Sequence, residues 1–178
     1  MKNMARAIQW FDTALLKGTL FLCGAILTTM VAVAGLGVIF RFALHASLSW
    51  SEELDAYLFV WLTFLGAAAG IQMRVHPEVR ALVDGLSPDK QRWLIRLADV
   101  AIMALGTIFS LYGGEMITLM GTETAASLPV SMAYPYLAIP IGGALLIAHA
   151  AAHLLLSYLA PCTMEEATGA PRRALAQE

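Results

Sequence analysis

The chain has 178 residues, of which 59% are hydrophobic and 13% are charged, and its mean hydropathy is +0.70. An ordinary soluble domain has about 25% charged residues, so this composition excludes such a domain and predicts an integral membrane protein. The formal net charge is −2, and no nucleic-acid partner is expected.

The N-terminal segment and the first long apolar stretch predict two different helices. Within residues 1–17, four apolar residues share one helical face, which is typical of an amphipathic helix lying in the membrane interface; they are Met4, Ile8, Phe11 and Leu15. A first spanning helix is predicted at residues 18–43. Residues 32–34 resemble a signal-peptide cleavage site, but the preceding segment is too long and apolar residues continue afterwards, so we expect an uncleaved anchor.

The second spanning helix is predicted at residues 53–74. Ser49-Trp50-Ser51-Glu52 matches the S-x-x-E capping box, in which the serine and glutamate side chains satisfy free backbone N–H groups at a helix start. Trp50 lies where an interfacial aromatic belt is expected, whereas Trp61 lies deeper in the span.

Small residues in the spans predict close helix contacts. Gly66 and Gly70 form a GxxxG pattern, which lets two helix backbones approach each other. The sequence leaves open whether the second helix belongs to this chain or to a partner protein. Gly142-Gly143, and Gly106 with Ser110, raise the same two alternatives in the later spans.

A short connection separates the second and third spans. Apolar residues at helical spacing predict a short interfacial helix at residues 77–86. Ser87, Pro88 and Asp89 then supply the N-cap, the first-position proline and the first-turn acid that favour the start of another helix. The third span is predicted at residues 93–119.

The fourth spanning helix is predicted at residues 135–159, and the tail at residues 161–178 is expected to be disordered. No polar connection is long enough to bury a core of its own. Residues 1–160 are therefore predicted to form a single all-α membrane domain with four transmembrane helices.

The distribution of basic residues predicts the orientation. Ten lysines and arginines lie before the first span, between the second and third spans or in the tail, and only Arg41 lies on the other side. The positive-inside rule therefore places both termini in the cytoplasm. The opposite face is acidic and includes Glu52, Glu53 and Glu123. We predict a periplasmic ion pair between Arg41 and Glu53, with a solvated Glu53 as the alternative.

Ionisable residues are expected near the ends of the spans rather than at the bilayer centre. Asp99 and Glu115 are separated by about 24 Å along a helix, so they approach opposite interfaces. This pattern disfavours a carrier that works alone. His149 and His153 lie one turn apart and could bind a metal or haem, but bis-histidine haem ligands normally come from different helices. Polar packing or headgroup contact is the favoured interpretation.

A dense set of short motifs lies between Trp50 and Pro88. It comprises Trp50-Ser51-Glu52-Glu53, Tyr57-Leu58-Phe59-Val60-Trp61, Phe64-Leu65-Gly66-Ala67-Ala68, Arg74, His76 and Leu82-Val83-Asp84-Gly85-Leu86. Together with weaker similarity at residues 128–129 and 136–142, these motifs resemble the small membrane subunit of tripartite ATP-independent periplasmic (TRAP) transporters. One departure follows His76, where the family usually has isoleucine, a basic residue, valine and aspartate and this chain has Pro77-Glu78-Val79-Arg80.

The resemblance implies an accessory subunit of a heterodimeric membrane complex in the bacterial inner membrane. A periplasmic binding protein would deliver an organic acid, with carboxylates as the family expectation, to a large elevator-type subunit driven by a sodium gradient. The small subunit would scaffold that large subunit and help to dock the binding protein. It would be no enzyme and would hold no cofactor or metal, because the ion sites are expected in the large subunit.

Two other functions stay open at this point, namely a haem-bearing membrane anchor of a respiratory enzyme and a small carrier that works alone. If the resemblance holds, the candidates for contact with partner proteins are Trp50, Glu52, Glu53, Trp61, Gly66, Gly70, Arg74, His76 and Asp84.

Overall fold

The computed structural model describes residues 2–46, 48–73 and 88–159. Within these ranges the chain is helical apart from turns and one isolated bridge between Thr124 and Ser131. In chain order the helices are α1 (Lys2–Ala43), α2 (Ser49–Gln72), α3 (Pro88–Met120), the single turn α4 (Ala133–Tyr136) and α5 (Ala138–Leu159).

Four helical segments in the described part of the chain are long and apolar enough to cross a membrane. These are α1, α2, α3 and the combined stretch of α4 and α5. Helices satisfy their own backbone hydrogen bonds, and this is why apolar segments of such length cross lipid as helices. The prediction of an all-α fold with four spans is confirmed.

The N-terminal amphipathic segment is not a separate helix. α1 continues without a break from Lys2 to Ala43, and its 42 residues extend about 63 Å. Gly18 lies at the predicted boundary, but one glycine inside a helix costs only about 1 kcal/mol and does not end it. The segment predicted as an interfacial helix is therefore the first part of the same helix that contains the first span.

The start of α2 lies close to the predicted capping box, but the box itself is not formed. Leu48 occupies the N-cap position and makes no side-chain capping bond. Instead, the hydroxyl of Ser51 donates to the carbonyl oxygen of Leu48 at 2.7 Å. The helix begins too early for Ser49 to act as the N-cap, because Ser49 is already its first residue.

The connection between α1 and α2 turns at His45, which has a left-handed backbone conformation with φ of 51°. This conformation ends a helix, and the amide of Ala46 donates to the carbonyl oxygen of Phe40 at 3.1 Å. The predicted interfacial helix at residues 77–86 and the tail at residues 161–178 lie outside the described residues.

The helices alternate in direction, so the bundle has two distinct ends. At the end that we call the terminal end, Asp12 of α1, Gln72 of α2 and Arg96 of α3 meet α5 or one another. At the opposite end, which we call the loop end, Gly37 of α1 lies against Ser51 of α2. These contacts fix an antiparallel order of the four long helices.

Glycines let α3 and α5 cross with their backbones in contact. A Cβ atom placed on Gly106 would lie 2.7 Å from the carbonyl oxygen of Gly143, and one on Gly143 would lie 2.6 Å from that of Gly106. A Cβ atom on Gly113 would lie 2.7 Å from Cδ of Pro140. These glycines therefore pack within this chain, which resolves the alternatives that their sequence pattern left open.

The core of the bundle is small and consists largely of short side chains. Leu65, Ala68 and Ala69 of α2 are buried against their neighbours, as are Leu146 and Ala150 of α5. Most of α1 is exposed, since it packs on α2 and α5 along only one face. In a membrane, this exposed apolar surface meets lipid or another protein.

Candidate functional site

The predicted contact residues that the structure describes lie on α2. Trp50, Glu52 and Glu53 lie in its half nearer the loop end, Trp61 lies at its middle, and the Gly66–Gly70 pattern lies in its other half. Arg74, His76 and Asp84 were also predicted, but they lie outside the described residues.

The carboxylate of Glu53 binds a backbone turn that lies 73 residues further along the chain. Its Oε1 atom accepts a hydrogen bond from the amide of Ala126 at 2.9 Å, and Oε2 accepts one from the amide of Ser127 at 2.6 Å. The hydroxyl of Tyr57 donates to Oε1 at 2.6 Å. Hydrogen bonds to an ionised carboxylate are stronger than those between neutral groups, so this turn is firmly tied to α2.

These contacts replace the predicted ion pair between Glu53 and Arg41. Both residues are described by the structure, and no ion pair joins them. Arg41 is exposed near the end of α1, whereas the Glu53 carboxylate is directed towards the backbone amides of the turn. The prediction of an Arg41–Glu53 ion pair is therefore wrong, and so is the alternative of a carboxylate bound only by solvent.

Two further side chains of α2 extend this contact along the same helix face. The hydroxyl of Tyr57 lies 3.2 Å from Sδ of Met132, and the indole N–H of Trp61 donates to the carbonyl oxygen of Tyr134 at 3.1 Å. Residues four apart in a helix lie on one face, so Glu53, Tyr57 and Trp61 form a row. We call these three residues the α2 clamp.

Glu53 and Tyr57 of the α2 clamp contact a small hairpin at residues 121–132, which we call the loop-end hairpin, whereas Trp61 bonds to Tyr134 in α4. The amide of Ala125 donates to the carbonyl oxygen of Val130, and the amide of Met132 donates to that of Glu123, both at 2.9 Å. The hydroxyl of Ser131 donates to the carbonyl oxygen of Gly121 at 2.7 Å. The hairpin is therefore an ordered surface between α3 and α4.

The GxxxG pattern of α2 makes no close contact within the described bundle. No atom from the described parts of the chain, apart from sequence neighbours and the helix's own backbone, lies within 4 Å of a Cβ placed on Gly66 or on Gly70. Internal packing of α2 uses Leu65, Ala68 and Ala69 instead. Gly66 and Gly70 thus face away from the other helices that the structure describes.

A second polar constellation lies towards the terminal end and includes a fully buried histidine. Oδ1 of Asp12 lies 2.5 Å from Nδ1 of His149, and the side-chain amide of Gln72 donates through Nε2 to Oδ2 of Asp12 at 2.8 Å. His149 is 0% exposed and Asp12 is 5% exposed. This contact joins α1, α2 and α5, and we call Asp12, Gln72 and His149 the terminal triad.

Further polar groups lie next to the terminal triad on α3 and α5. Nδ1 of His153 lies 3.8 Å from Oδ1 of Asp99, which is also buried. The Arg96 Nε–H donates to the hydroxyl of Ser157 at 3.2 Å, and its guanidinium carbon lies 4.6 Å from the centre of the Tyr158 ring. Polar side chains therefore join α3 to α5 at this end. The position of Arg96 over the Tyr158 ring adds a cation–π interaction to these contacts.

The sequence interpretation of His149 as polar packing left out its partner. Asp12 lies four residues after Ile8 and three before Leu15, so it belongs to the apolar face of the amphipathic segment. A lone acid on an apolar helix face was the signal in the sequence that Asp12 has a polar partner, because a buried charge needs one. Among the residues that the structure describes, no group of three or more His, Cys, Asp or Glu side chains is placed to hold a metal ion.

Comparisons with known proteins identify the family of this chain. Residues 30–159 match the family described as tripartite ATP-independent periplasmic transporters, DctQ component. The chain is 33% identical over 100 residues to a Haemophilus influenzae protein assigned as a TRAP transporter small permease, covering 56% of this chain and 60% of the relative.

Two further relatives are named C4-dicarboxylate TRAP transporter small permease protein DctQ. The one from Rhodobacter capsulatus is 32% identical over 56% of this chain and 45% of its own length. The one from Vibrio cholerae is 27% identical over 52% of this chain and 40% of its own length. The chain thus spans about half the length of these curated relatives. It belongs to the DctQ component family of tripartite ATP-independent periplasmic transporters, whose members are small permeases of the inner membrane.

Proposed function

We propose that this chain is the accessory membrane subunit of a TRAP transporter that imports an organic acid. It forms a heterodimer with a large membrane subunit, and a periplasmic binding protein delivers the substrate to the pair. The observation that carries the proposal is the family match at residues 30–159, which covers the second, third and fourth spans and the last part of the first.

The proposed substrate is a carboxylate that enters with sodium. The printed names of the relatives from Rhodobacter capsulatus and Vibrio cholerae specify C4-dicarboxylates, which favours a dicarboxylate for this chain as well. We place the sodium sites and the substrate site in the large subunit. The small subunit then needs no cofactor and carries out no chemical reaction.

The proposed orientation places both termini and the terminal end of the bundle in the cytoplasm. Ten of the eleven basic residues lie on that side by sequence, which supports this orientation under the positive-inside rule. The loop end, with the loop-end hairpin and the exposed Glu52, then faces the periplasm. The terminal triad lies in the cytoplasmic half of the membrane.

We propose two contact surfaces, one for the large subunit and one for the binding protein. Gly66 and Gly70 face away from the other described helices, and a helix of the large subunit can approach the α2 backbone closely there. The loop end supplies part of the surface on which the binding protein docks. This subunit is a static scaffold for the large subunit, which carries the substrate across the membrane.

Affinity purification of the tagged chain from native membranes in mild detergent tests the proposed function. We expect a large multispanning protein at near-equal stoichiometry, no Soret absorbance and uptake by proteoliposomes only when both membrane subunits and the binding protein are present. A haem spectrum with soluble redox partners would replace the proposal with a respiratory anchor. Uptake by liposomes that contain this chain alone would replace it with an independent carrier.

A further inference from the structure

The loop-end hairpin has little to hold it in place besides α2. Its two sides are joined by one isolated bridge and a few backbone hydrogen bonds. A two-stranded ribbon of this kind is marginally stable on its own in water. Ala125 is buried, whereas Ala126 and Ser127 at the tip are exposed, so the side chains of these two residues make no buried contact that fixes the turn.

The Glu53 carboxylate supplies the missing support at the tip. It accepts one hydrogen bond at each oxygen from two consecutive backbone amides, those of Ala126 and Ser127. This arrangement sets both the position and the tilt of the turn, because two acceptor atoms in one rigid plane leave the peptide units little freedom to rotate. Tyr57, one helical turn further on, donates to the same carboxylate and holds it in the accepting orientation.

This contact contributes more to position than to stability. Water can bind the amides of Ala126 and Ser127 if the carboxylate is removed, since both residues are exposed. The four-helix bundle does not depend on the contact, because its core lies elsewhere, at Leu65, Ala68 and Leu146. Loss of the contact therefore frees the hairpin without unfolding the protein.

We propose that Glu53 is a positioning residue that holds the loop-end hairpin, residues 121–132, in the one orientation in which the periplasmic binding protein docks on it. The inference rests on the proposed function, since it needs a binding protein and a loop end in the periplasm. It adds that the docking surface is preorganised by α2, which is not one of the helices that the hairpin connects. Preorganisation lowers the entropy lost on docking.

Substitution Glu53→Gln tests this inference, because a glutamine side chain has one acceptor oxygen where the carboxylate has two. Glu52→Gln is the matched control for the exchange measurement, since it removes the same charge from the adjacent, exposed residue. Glu53→Asp keeps the charge on a shorter side chain. All are measured in the purified complex of both membrane subunits.

Hydrogen exchange of peptides covering residues 121–132 provides the first readout. We expect the exchange of the Ala126 and Ser127 amides to become about tenfold faster in Glu53→Gln, because each loses a charge-assisted bond. The exchange rate in Glu52→Gln should match that of the wild type, and the rate in Glu53→Asp should lie between those of the wild type and Glu53→Gln. Unchanged exchange in Glu53→Gln would overturn the inference at its first step.

The dependence of uptake on the concentration of binding protein provides the second readout. In Glu53→Gln we expect the half-saturating concentration to rise several-fold while the rate at saturation stays near that of the wild type, and Glu53→Asp should restore part of the loss. A general structural defect would instead lower the saturating rate and the yield of the complex.

The two readouts separate the inference from the proposed function. Faster exchange with an unchanged half-saturating concentration would overturn the docking role of the hairpin and leave the accessory-subunit function intact. Failure of the wild-type chain to form a complex that takes up substrate would overturn the proposed function, and the docking role with it. The exchange result would then still report on the Glu53 contact alone.

Discussion

At the scale of single residues, the pairing of Asp12 with His149 shows how a buried polar group is satisfied in this bundle. The two side chains are separated by 137 residues in sequence and lie on α1 and α5. A buried polar group that loses its partner costs more free energy than the bond itself contributes. The terminal triad therefore helps to attach α1, most of which is exposed, to the rest of the chain.

Substitution of one member of the terminal triad should lower stability. We expect Asp12→Ala to reduce the free energy of unfolding by about 1–3 kcal/mol, because Gln72 and the buried His149 lose their partner. The melting temperature of the purified protein in detergent measures the change. Thr13→Ala is the matched control, since the exposed Thr13 hydroxyl bonds only to a carbonyl oxygen of its own helix.

A double substitution checks the assignment of this loss to the pair. Asp12→Ala combined with His149→Ala should cost less than the sum of the two single substitutions, because each single one already breaks the shared bond. Strictly additive losses would mean that the two residues stabilise the protein independently of each other.

At the scale of helices, the glycine pattern on each helix has a different role. Gly106 and Gly143 allow α3 and α5 to touch through their backbones, whereas Gly66 and Gly70 of α2 face away from the bundle. The sequence predicted close contacts at all of these positions but could not assign the partner helix. A small-residue pattern specifies how near another helix can come and carries no information about which helix does so.

The backbone contact between α3 and α5 predicts opposite effects for two glycines of one helix. Gly106→Ala should destabilise the protein by about 1–3 kcal/mol, because its methyl group would lie 2.7 Å from the Gly143 carbonyl oxygen and force the helices apart. Gly114→Ala, with open space around its Cβ, should be neutral or stabilising by up to about 1 kcal/mol through helix propensity. Thermal unfolding of both variants measures the difference, and equal effects would contradict the close crossing.

The outward GxxxG face of α2 predicts an assembly defect without a folding defect. Gly66→Leu with Gly70→Leu should abolish co-purification of the large subunit, because the added side chains keep its helix away from α2. The chain itself should keep its melting temperature, since both positions have open space around them. Gly18→Leu with Gly24→Leu, at open positions on α1, serves as the control. Undiminished co-purification would remove this face from the interface.

At the scale of the whole molecule, the number of spans could be predicted from the sequence, but the polar contacts between them could not. Long apolar windows are readable because lipid allows only self-satisfied helices. The partner of Glu53 was missed because backbone amides in a turn have no side-chain signature in the sequence. The sequence analysis divided α1 because its amphipathic first part and its apolar second part suit different surroundings, the membrane interface and the bilayer interior. Both parts are nevertheless helical, so a change in polarity does not by itself end the helix.

The orientation of the molecule predicts which exposed positions react from outside the cell. In a background without Cys23 and Cys162, Thr122→Cys at the loop end should react with a membrane-impermeant maleimide in intact spheroplasts. Asn3→Cys should react only after permeabilisation, because the ten basic residues hold their side of the protein in the cytoplasm. The reverse labelling pattern would invert the orientation and place the loop-end hairpin in the cytoplasm.

The length of α1 has a consequence for how the protein fits its bilayer. At about 63 Å, this helix is about twice as long as the hydrocarbon layer is thick. It is attached near both of its ends, through Asp12 to His149 and through Gly37 against Ser51. α1 therefore cannot adjust its tilt separately from the helices it touches, and a bilayer of different thickness tilts the four helices together.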